Sequence, residues 1–413
     1  MNPTILHVSD KERMIVANNM PKSQYARIDY TNCVCVKPWG YEFLAYESER
    51  IGIWYLKLNK GNSTSLHTHF HKDTLIIVME GCASIRLIDG TILSVNKLES
   101  VYIPKHKFHG ISSFSETVYI MEIEIFDATA HFSDKNDLLR LDDQYLRQKT
   151  GYASSVEIKR ERLKEDYGHF FLESGYTDTL FETQISITSL NEENKAKLAN
   201  HSYNILLSGE IYIDGLYIKE GSLLTSDLVQ KVTDYTAMHQ ILSIKGSCAE
   251  EDRKIVYSEQ QLDIIVKDLK KSGKRIILTS GCYDILHVGH LAHLKRAKSL
   301  GDVLIVCLSS DEQIAKLKGE SRPINNYTDR INLFKTISYV DYIVLYNEAH
   351  IEKEQTLDEI IRIVDPDYWT KGSDYTADVI LSKHPGIRNI MLFDNIDGKS
   401  TTNIVNKING HID

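Results

Sequence analysis

Gly281-Cys282-Tyr283-Asp284-Ile285-Leu286-His287-Val288-Gly289-His290 follows the apolar run Arg275-Ile276-Ile277-Leu278-Thr279-Ser280 and leads into a helix-patterned stretch, Leu291 to Leu300, closed by Gly301 and Asp302. The sequence therefore reads as a strand, a glycine-containing turn with two histidines, and a helix N-terminus. A helix start offers unpaired backbone N–H groups and a partial positive charge, and Gly281 and Gly289 let the main chain approach a ligand closely. His287 and His290 can donate to phosphate oxygens and follow charge that builds up during reaction. Taken alone, the four residues His287 to His290 fit a metal half-site or two solvated histidines equally well. The pattern on either side favours a phosphate site.

Outward from this turn, apolar strand candidates at 275–280, 303–308, 342–346, 367–371 and 389–393 alternate with helical patterns at 290–300, 311–318, 327–338, 354–364 and 401–409. Ligands of such α/β sheets sit outside the carboxyl ends of the strands. Three further segments fall at those ends: Leu317-Lys318-Gly319-Glu320-Ser321-Arg322-Pro323-Ile324, Lys371-Gly372-Ser373-Asp374-Tyr375 and Asp397-Gly398-Lys399-Ser400-Thr401-Thr402-Asn403-Ile404.

With these four motifs in order, the chain from about Tyr257 to Ile408 resembles the cytidylyltransferase-like nucleotidyltransferases, most of all the adenylyltransferase domain that activates heptose 1-phosphate for lipopolysaccharide. The resemblance implies a doubly wound, Rossmann-like parallel sheet. It also implies transfer of CMP or AMP from CTP or ATP to a sugar phosphate or polyol phosphate, with release of pyrophosphate, for capsule or lipopolysaccharide synthesis. A phosphate oxygen of the acceptor would attack the α-phosphorus in line, so catalysis would be mainly positioning and charge stabilisation. By the same resemblance His287 and His290 hold the nucleotide phosphates, with His290 nearest the transition state, while Lys318 and Arg322 neutralise charge. Gly281, Cys282, Tyr283, Asp284, Gly289 and Asp374 belong to the matched nucleotide-binding motifs, and Ser400, Thr401 and Thr402 form a second phosphate cradle at a helix start. Mg²⁺ is implied by the nucleotide substrate. Each assignment has a plainer counterpart: solvated loop charges for Lys318 and Arg322, a helix cap for Ser400 to Thr402, a turn residue for Asp374, and a turn cap for Asp284. Lys399 departs from the small residue usual at its position and leaves the base and the acceptor open.

The N-terminal region, 1–127, carries Lys37-Pro38-Trp39-Gly40-Tyr41-Glu42, then Gly61 to His69, and ends with Pro104-Lys105-His106-Lys107-Phe108-His109. Strand-like runs surround these pieces at Ile51 to Leu58, Leu75 to Val78, Ser84 to Ile88 and Thr117 to Ile125. On those residues it resembles the cupins, in particular the module of type II phosphomannose isomerases, which implies a double-sheet β-barrel. His67 and His69 alternate along one strand and so point to one side, and His109 supplies a third ring. Such a triad suits a divalent transition metal. The glutamate that normally completes a cupin site falls on Thr74, with Asp73 beside it, and His106 stands where a glycine is expected. His71 reads as solvated, and His201 has no partner at cupin spacing. Metal-binding, isomerase or epimerase, and purely structural or dimer-forming roles all remain open for this domain.

Residues 128–166 are densely charged, with helical spacing at Leu138-Leu139-Arg140-Leu141, and predict a helical connector. From 167 to 250 strand patterns return at 170–172, 180–187, 203–207, 210–215 and 222–224, and predict a second, degenerate cupin-like domain, leaving 251–413 to the transferase.

A length of 413 residues predicts two or three domains. The formal charge of −9 disfavours nonspecific nucleic-acid or anionic-membrane binding, and no apolar stretch is long enough for a membrane span. The first ten residues lack a secretion pattern, and six scattered cysteines lack zinc-ribbon spacing, so a reducing cytoplasm is the expected setting. A homo-oligomer formed through the cupin or transferase domain is also expected. Three functions compete: the transferase alone; a bifunctional enzyme whose cupin isomerises or epimerises the sugar phosphate; and a binding or assembly protein with an inactive transferase domain. No Gly-x-Gly-x-x-Gly follows a strand, which excludes a dinucleotide-binding dehydrogenase.

Overall fold

Apolar runs such as Ile51–Leu56 and Leu75–Met79 lack the clean alternation of a half-exposed strand, and the fold shows why: both faces of the sheet they form are covered. The computed structural model describes residues 2–19, 29–129, 132–135, 137–142, 156–213, 215–235, 239–246, 253–346, 356–372, 376–384, 387–394 and 401–408. The chain divides into two compact units, Met1–Cys248 and Ala249–Asp413. No helix among the described residues is long and apolar enough to cross a membrane.

In the first unit an eight-stranded sheet runs in the order Thr4–Ile5, Ser100–Ile103, Lys72–Glu80, Thr117–Phe126, Ile51–Asn59, Gly40–Glu47, Val34–Lys37, Glu157–Lys159. A five-stranded sheet faces it: Leu139–Asp142, Leu66–Thr68, His109–Ser113, Cys82–Leu87, Ile92–Asn96. Between them pack Trp54, Leu56, Ile76, Val78, Ile85, Ile111 and Ile120. Side chains one position along the same strands, including Ile53, Tyr55, Leu75, Ile77, Met121 and Ile123, point to the other face and meet Ile185, Ile187, Tyr203, Ile205, Leu242 and Ile244.

Those last residues belong to a smaller sheet, in the order Thr177–Leu180, Thr183–Ser189, Gln240–Lys245, Tyr203–Ser208. Its order repeats that of Gly40–Glu47, Ile51–Asn59, Thr117–Phe126 and Lys72–Glu80 in the large sheet. Among the described residues the opposing sheet is reduced to one hairpin, Ile211–Ile213 with Leu216–Ile218, beside the helix Ser226–Lys231. Two local expectations are corrected. Phe170 to Leu172 form no strand; Leu172 is buried and anchored by its N–H to the Ala45 carbonyl. The run expected at 180–187 breaks at Phe181 and Glu182, whose positive φ values of 50° and 62° reverse the chain into a hairpin.

The helical connector also needs correction. Leu139–Asp142 pairs with Leu66–Thr68, Glu157–Lys159 pairs with Val34–Lys37, and only Leu163–Tyr167 is helical among its described residues. The charged spacing at 138–141 belongs to a strand whose one face closes the barrel.

The second unit is a six-stranded, wholly parallel sheet in the order Ile255–Val256, Tyr342–Tyr346, Val303–Ser309, Ile276–Gly281, Tyr368–Gly372, Ile390–Phe393. From Ile276–Gly281 the chain winds outward to Tyr342–Tyr346, then crosses to Tyr368–Gly372 on the other side. That reversal makes the carboxyl ends of Ile276–Gly281 and Tyr368–Gly372 the topological switch point of the sheet, the place where ligands of doubly wound sheets bind. Two helices, Glu259–Lys271 and Ala377–Lys383, add to those read from the sequence.

Candidate functional site

Ile276–Gly281 is buried along its length and delivers the chain to the switch point, where Tyr283 turns it with φ of 47°. Gly281 is required there, since a Cβ would stand 2.9 Å from the Tyr283 ring. His287 caps the helix Val288–Lys298, its Nδ1 accepting from the Gly289 N–H at 3.2 Å. This leaves the His287 proton on Nε2 as a donor. One turn on, the His290 ring stacks on His287 with centroids 3.8 Å apart and planes 23° from parallel. Burial, then the neighbouring His287 and His293 and the Lys318 ammonium, lowers the His290 pKa to about 3, so the ring is neutral near pH 7.

The other residues of the matched turn hold it in place. Tyr283 is buried against Phe334 and edge-on to His290, with its hydroxyl 3.3 Å from Thr279 Oγ1. Asp284, 1% exposed, accepts from the Arg322 Nε at 2.5 Å, the Ile324 N–H at 2.7 Å and the Asn325 N–H at 2.9 Å. The sequence placed Tyr283, Asp284 and Cys282 on the nucleotide. In the structure Tyr283 forms a wall behind His290 and Asp284 is the staple of the 319–325 loop. The Cys282 carbonyl is taken by Arg330, and the Gly289 amide by the His287 cap.

Arg322 is only half engaged: its Nη2 is buried with no partner among the described residues. Lys318 ends the helix Asp311–Lys318 and lies close enough to act on His290. Thr401 begins the helix Thr401–Ile408, and its hydroxyl reaches the Ile285 carbonyl at 3.4 Å, setting that helix start against the histidine turn. Asp374 and Ser400 lie outside the described residues, as does the Thr402 side chain.

Two residues were missed. Arg330, fully buried, donates to the Cys282 and Ser309 carbonyls, both at 2.8 Å, and to Asp311 at 2.6 Å, tying the turn to the neighbouring strand end. His293 bridges the two strands at the switch point, with Nε2 at 3.0 Å from Thr279 Oγ1 and 3.3 Å from Thr370 Oγ1. The recurrence of histidine at 287, 290 and 293, one helix face, was a signal for it.

In the first unit His67, His69 and His109 converge, with one ligand atom from each within 4.8 Å of the others. Each Nδ1 faces a backbone carbonyl: Ser65 at 2.8 Å, Asp137 at 2.7 Å and Lys107 at 3.1 Å respectively. That fixes the proton on Nδ1 and leaves the Nε2 lone pairs as ligands. The His69 Nε2 is buried without a partner among the described residues. Burial keeps all three rings neutral, with His109 lowered to about 4. The donor set fits a divalent transition metal. Neither fourth-ligand candidate joins it: Asp73 accepts from the Tyr102 hydroxyl and the Lys105 N–H, and Thr74 is buried in the sheet. His106 takes the φ of 72° that the expected glycine would have supplied, and its N–H holds the His69 carbonyl. His71 sits by Thr129 and Asp127 near the surface.

Residues 278–409 match the family model described as cytidylyltransferase-like. The cytidylyltransferase-like domain follows a segment, residues 26–143, that matches the model described as mannose-6-phosphate isomerase C-terminal. Among curated relatives, the bifunctional protein HldE of Nitratiruptor sp. is 44% identical over 166 residues, covering 40% of this chain and 34% of the relative. HldE of Wolinella succinogenes is 32% identical over 246 residues, 56% of this chain and 50% of the relative. The chain thus spans between about a third and a half of these relatives. Of solved structures, the lipopolysaccharide core biosynthesis protein of Thermoplasma volcanium is 28% identical, with all of its chain covered by 30% of this one, at a TM-score of 0.26. A cupin superfamily protein of Desulfitobacterium hafniense is 20% identical over 25% of this chain and 84% of its own, at a TM-score of 0.20.

Proposed function

We propose that the cytidylyltransferase-like domain transfers AMP or CMP from ATP or CTP to a phosphorylated sugar or polyol, releasing pyrophosphate and making an activated precursor for a surface glycan. The observation that carries this reading is the stacked pair His287 and His290 at a helix mouth beside the sheet's switch point. The triphosphate lies along the helix start, with the His287 Nε2–H and the His290 ring on its oxygens. An acceptor phosphate oxygen attacks the α-phosphorus, the α–β bridging oxygen leaves with pyrophosphate, and no covalent enzyme intermediate forms. His290 donates most strongly where negative charge grows, and its desolvated surroundings strengthen that bond. The buried Arg322 Nη2 and the Lys318 ammonium hold the departing phosphates.

Mg²⁺ enters with the nucleotide, bound by the phosphates themselves. Among the described residues the cluster of His, Cys, Asp or Glu suited to a metal is the N-terminal histidine triad. The resemblance to heptose 1-phosphate adenylyltransferases and the relatives named HldE support a sugar-phosphate acceptor. A pyrophosphate-release screen crossing four nucleoside triphosphates with phosphorylated sugars and polyols tests the reading. Release is expected from ATP or CTP with at least one acceptor; silence across the whole panel would overturn it.

A further inference from the structure

In the first unit the turn Ser48-Glu49-Arg50, between Gly40–Glu47 and Ile51–Asn59, and the two ends of the hairpin Ile211–Ile213 with Leu216–Ile218 line one cleft of about 320 Å³. Its lining is Ser48, Glu49, Arg50, Glu210, Lys219 and Glu220. It shares no residue with the cavity inside the barrel onto which the histidine triad opens.

Three features set this cleft apart from an ordinary solvated surface. Its wall is fixed, because Gly221, at φ of 85°, brings the segment so close to the large sheet that a Cβ would stand 2.9 Å from the Ile125 side chain. Two of its carboxylates are oriented in advance: Glu220 accepts from the Gly209 N–H at 3.2 Å and Glu210 from the Tyr217 hydroxyl. Each keeps a second oxygen for another donor. Finally, none of Glu49, Arg50, Glu210, Lys219 and Glu220 closes a salt bridge among the described residues, whereas the exposed Lys60 and Glu116 of the same unit pair at 2.7 Å.

An aromatic surface adjoins the cleft. Ile211 and Ile213 alternate into the core, which turns Tyr212 outward, 72% exposed. Tyr217 lies directly opposite on the partner strand, 46% exposed, with the two ring centroids 4.9 Å apart. Its bond to Glu210 makes ring surface and cleft continuous. Cross-strand pairs steady a hairpin, but β-branched residues do so without exposing two ring faces.

Ring faces beside unpaired carboxylates and cations are the chemistry that recognises a sugar. The C–H face of a pyranose packs on an aromatic ring, neighbouring hydroxyls donate to carboxylates, and sugar oxygens accept from guanidinium and ammonium groups. Two cations against three carboxylates leave no strong field for a phosphorylated or a cationic ligand. At roughly 10–15 Å³ per water-sized position the cleft holds roughly twenty to thirty such positions, enough for a mono- or disaccharide.

We propose that this cleft is a saccharide-binding site outside the barrel, where Tyr212 and Tyr217 carry the C–H face of a neutral pyranose and Arg50, Lys219, Glu49, Glu210 and Glu220 take its hydroxyls. The proposal is independent of the transferase reading.

Saturation-transfer NMR and calorimetry on the full chain test it, with maltose, cellobiose, lactose and mannobiose as neutral probes and glucose 6-phosphate and glucosamine as charged ones. At least one disaccharide is expected to bind with a Kd in the millimolar range or below, saturated most strongly at its ring C–H protons, and more tightly than either charged probe. Tyr212→Ala and Arg50→Met are each expected to weaken binding about tenfold, and Tyr212→Phe to keep it within about twofold, because the ring face carries the contact. His290→Ala is expected to leave it unchanged. Circular dichroism would establish that each variant is folded. Silence from all four disaccharides, or undiminished binding by folded Tyr212→Ala and Arg50→Met, would overturn the proposal. So would binding lost in His290→Ala, which places the sugar at the histidine turn, or a light-scattering mass that halves in Tyr212→Ala, which assigns the exposed rings to a second copy of this chain.

Discussion

Asp284→Asn isolates the link between the histidine turn and the 319–325 loop. Its carboxylate receives two backbone amides on one oxygen and the Arg322 guanidinium on the other, with side chains 1% and 10% exposed. Asparagine can keep its carbonyl on the Ile324 and Asn325 amides, but then turns an NH₂ toward the Arg322 Nε, donor against donor. Removing one member of a buried pair costs ~3–5 kcal/mol because the other charge stays behind. The lower end applies here because both amides keep an acceptor. For a domain of this size ~3 kcal/mol lowers Tm by roughly 6–12 °C. Melting curves, with hydrogen exchange at Ile324 and Asn325 reporting on this loop alone, measure the effect. Nucleotide affinity should fall with it, since Arg322 loses its orientation, and Arg322→Met should add little to Asp284→Asn because the two share one interaction. An Asp284→Asn protein with unchanged Tm and unchanged exchange at those amides would refute this account of the loop.

Arg330→Met leaves the Cys282 and Ser309 carbonyls without their buried donor, at ~1–3 kcal/mol for each, while the partly exposed Asp311 keeps the Tyr327 N–H; the loss is read as a lower melting temperature of this unit. His293→Phe removes the bridge between Thr279 and Thr370; stability should drop by ~1–3 kcal/mol, with nucleotide affinity by calorimetry changed only a few-fold. Acid should destabilise this unit in a defined window. His290 and His293 titrate at about 3 and about 4 in the fold, chiefly through burial, against 6.5 for a free imidazole. Between those values the unfolded chain binds protons that the folded unit does not, so stability is complete above about pH 6.5 and is lost as pH falls toward 4 and 3. From pH 7 to pH 5 the loss is at most about 2 kcal/mol per histidine. Melting at both pH values checks it, and a His290→Gln/His293→Gln protein with the same pH slope as wild type would contradict it.

The parallel sheet was legible because each strand is a short, fully apolar run such as Val303-Leu304-Ile305-Val306 bounded by helix signals, and because the turn at 281–290 marks where the sheet opens. Local pattern also carried the His67, His69 and His109 set, since alternation along a strand fixes two of the three directions. The supporting residues were not legible. Arg330 looks like a surface charge in sequence and Asp284 like a nucleotide-motif residue or a turn cap, and only the approach of three segments distant along the chain turns them into buried staples. The 133–142 segment misled for a related reason: its charges mimic a solvated helix, whereas Lys135 and Asp137 are buried against partners from the barrel. The smaller sheet escaped full description because its tight hairpin at Phe181 and Glu182 uses left-handed residues that carry no glycine or asparagine signal.

Steady-state pyrophosphate release by wild type and His290→Ala, with saturating nucleotide and acceptor, bears most directly on the paired-histidine turn as the centre of nucleotidyl transfer. Loss of one donor aimed at developing charge should lower kcat by about 10²–10³ while nucleotide Kd stays within a few-fold. A His290→Ala enzyme turning over at nearly the wild-type rate would contradict the assignment.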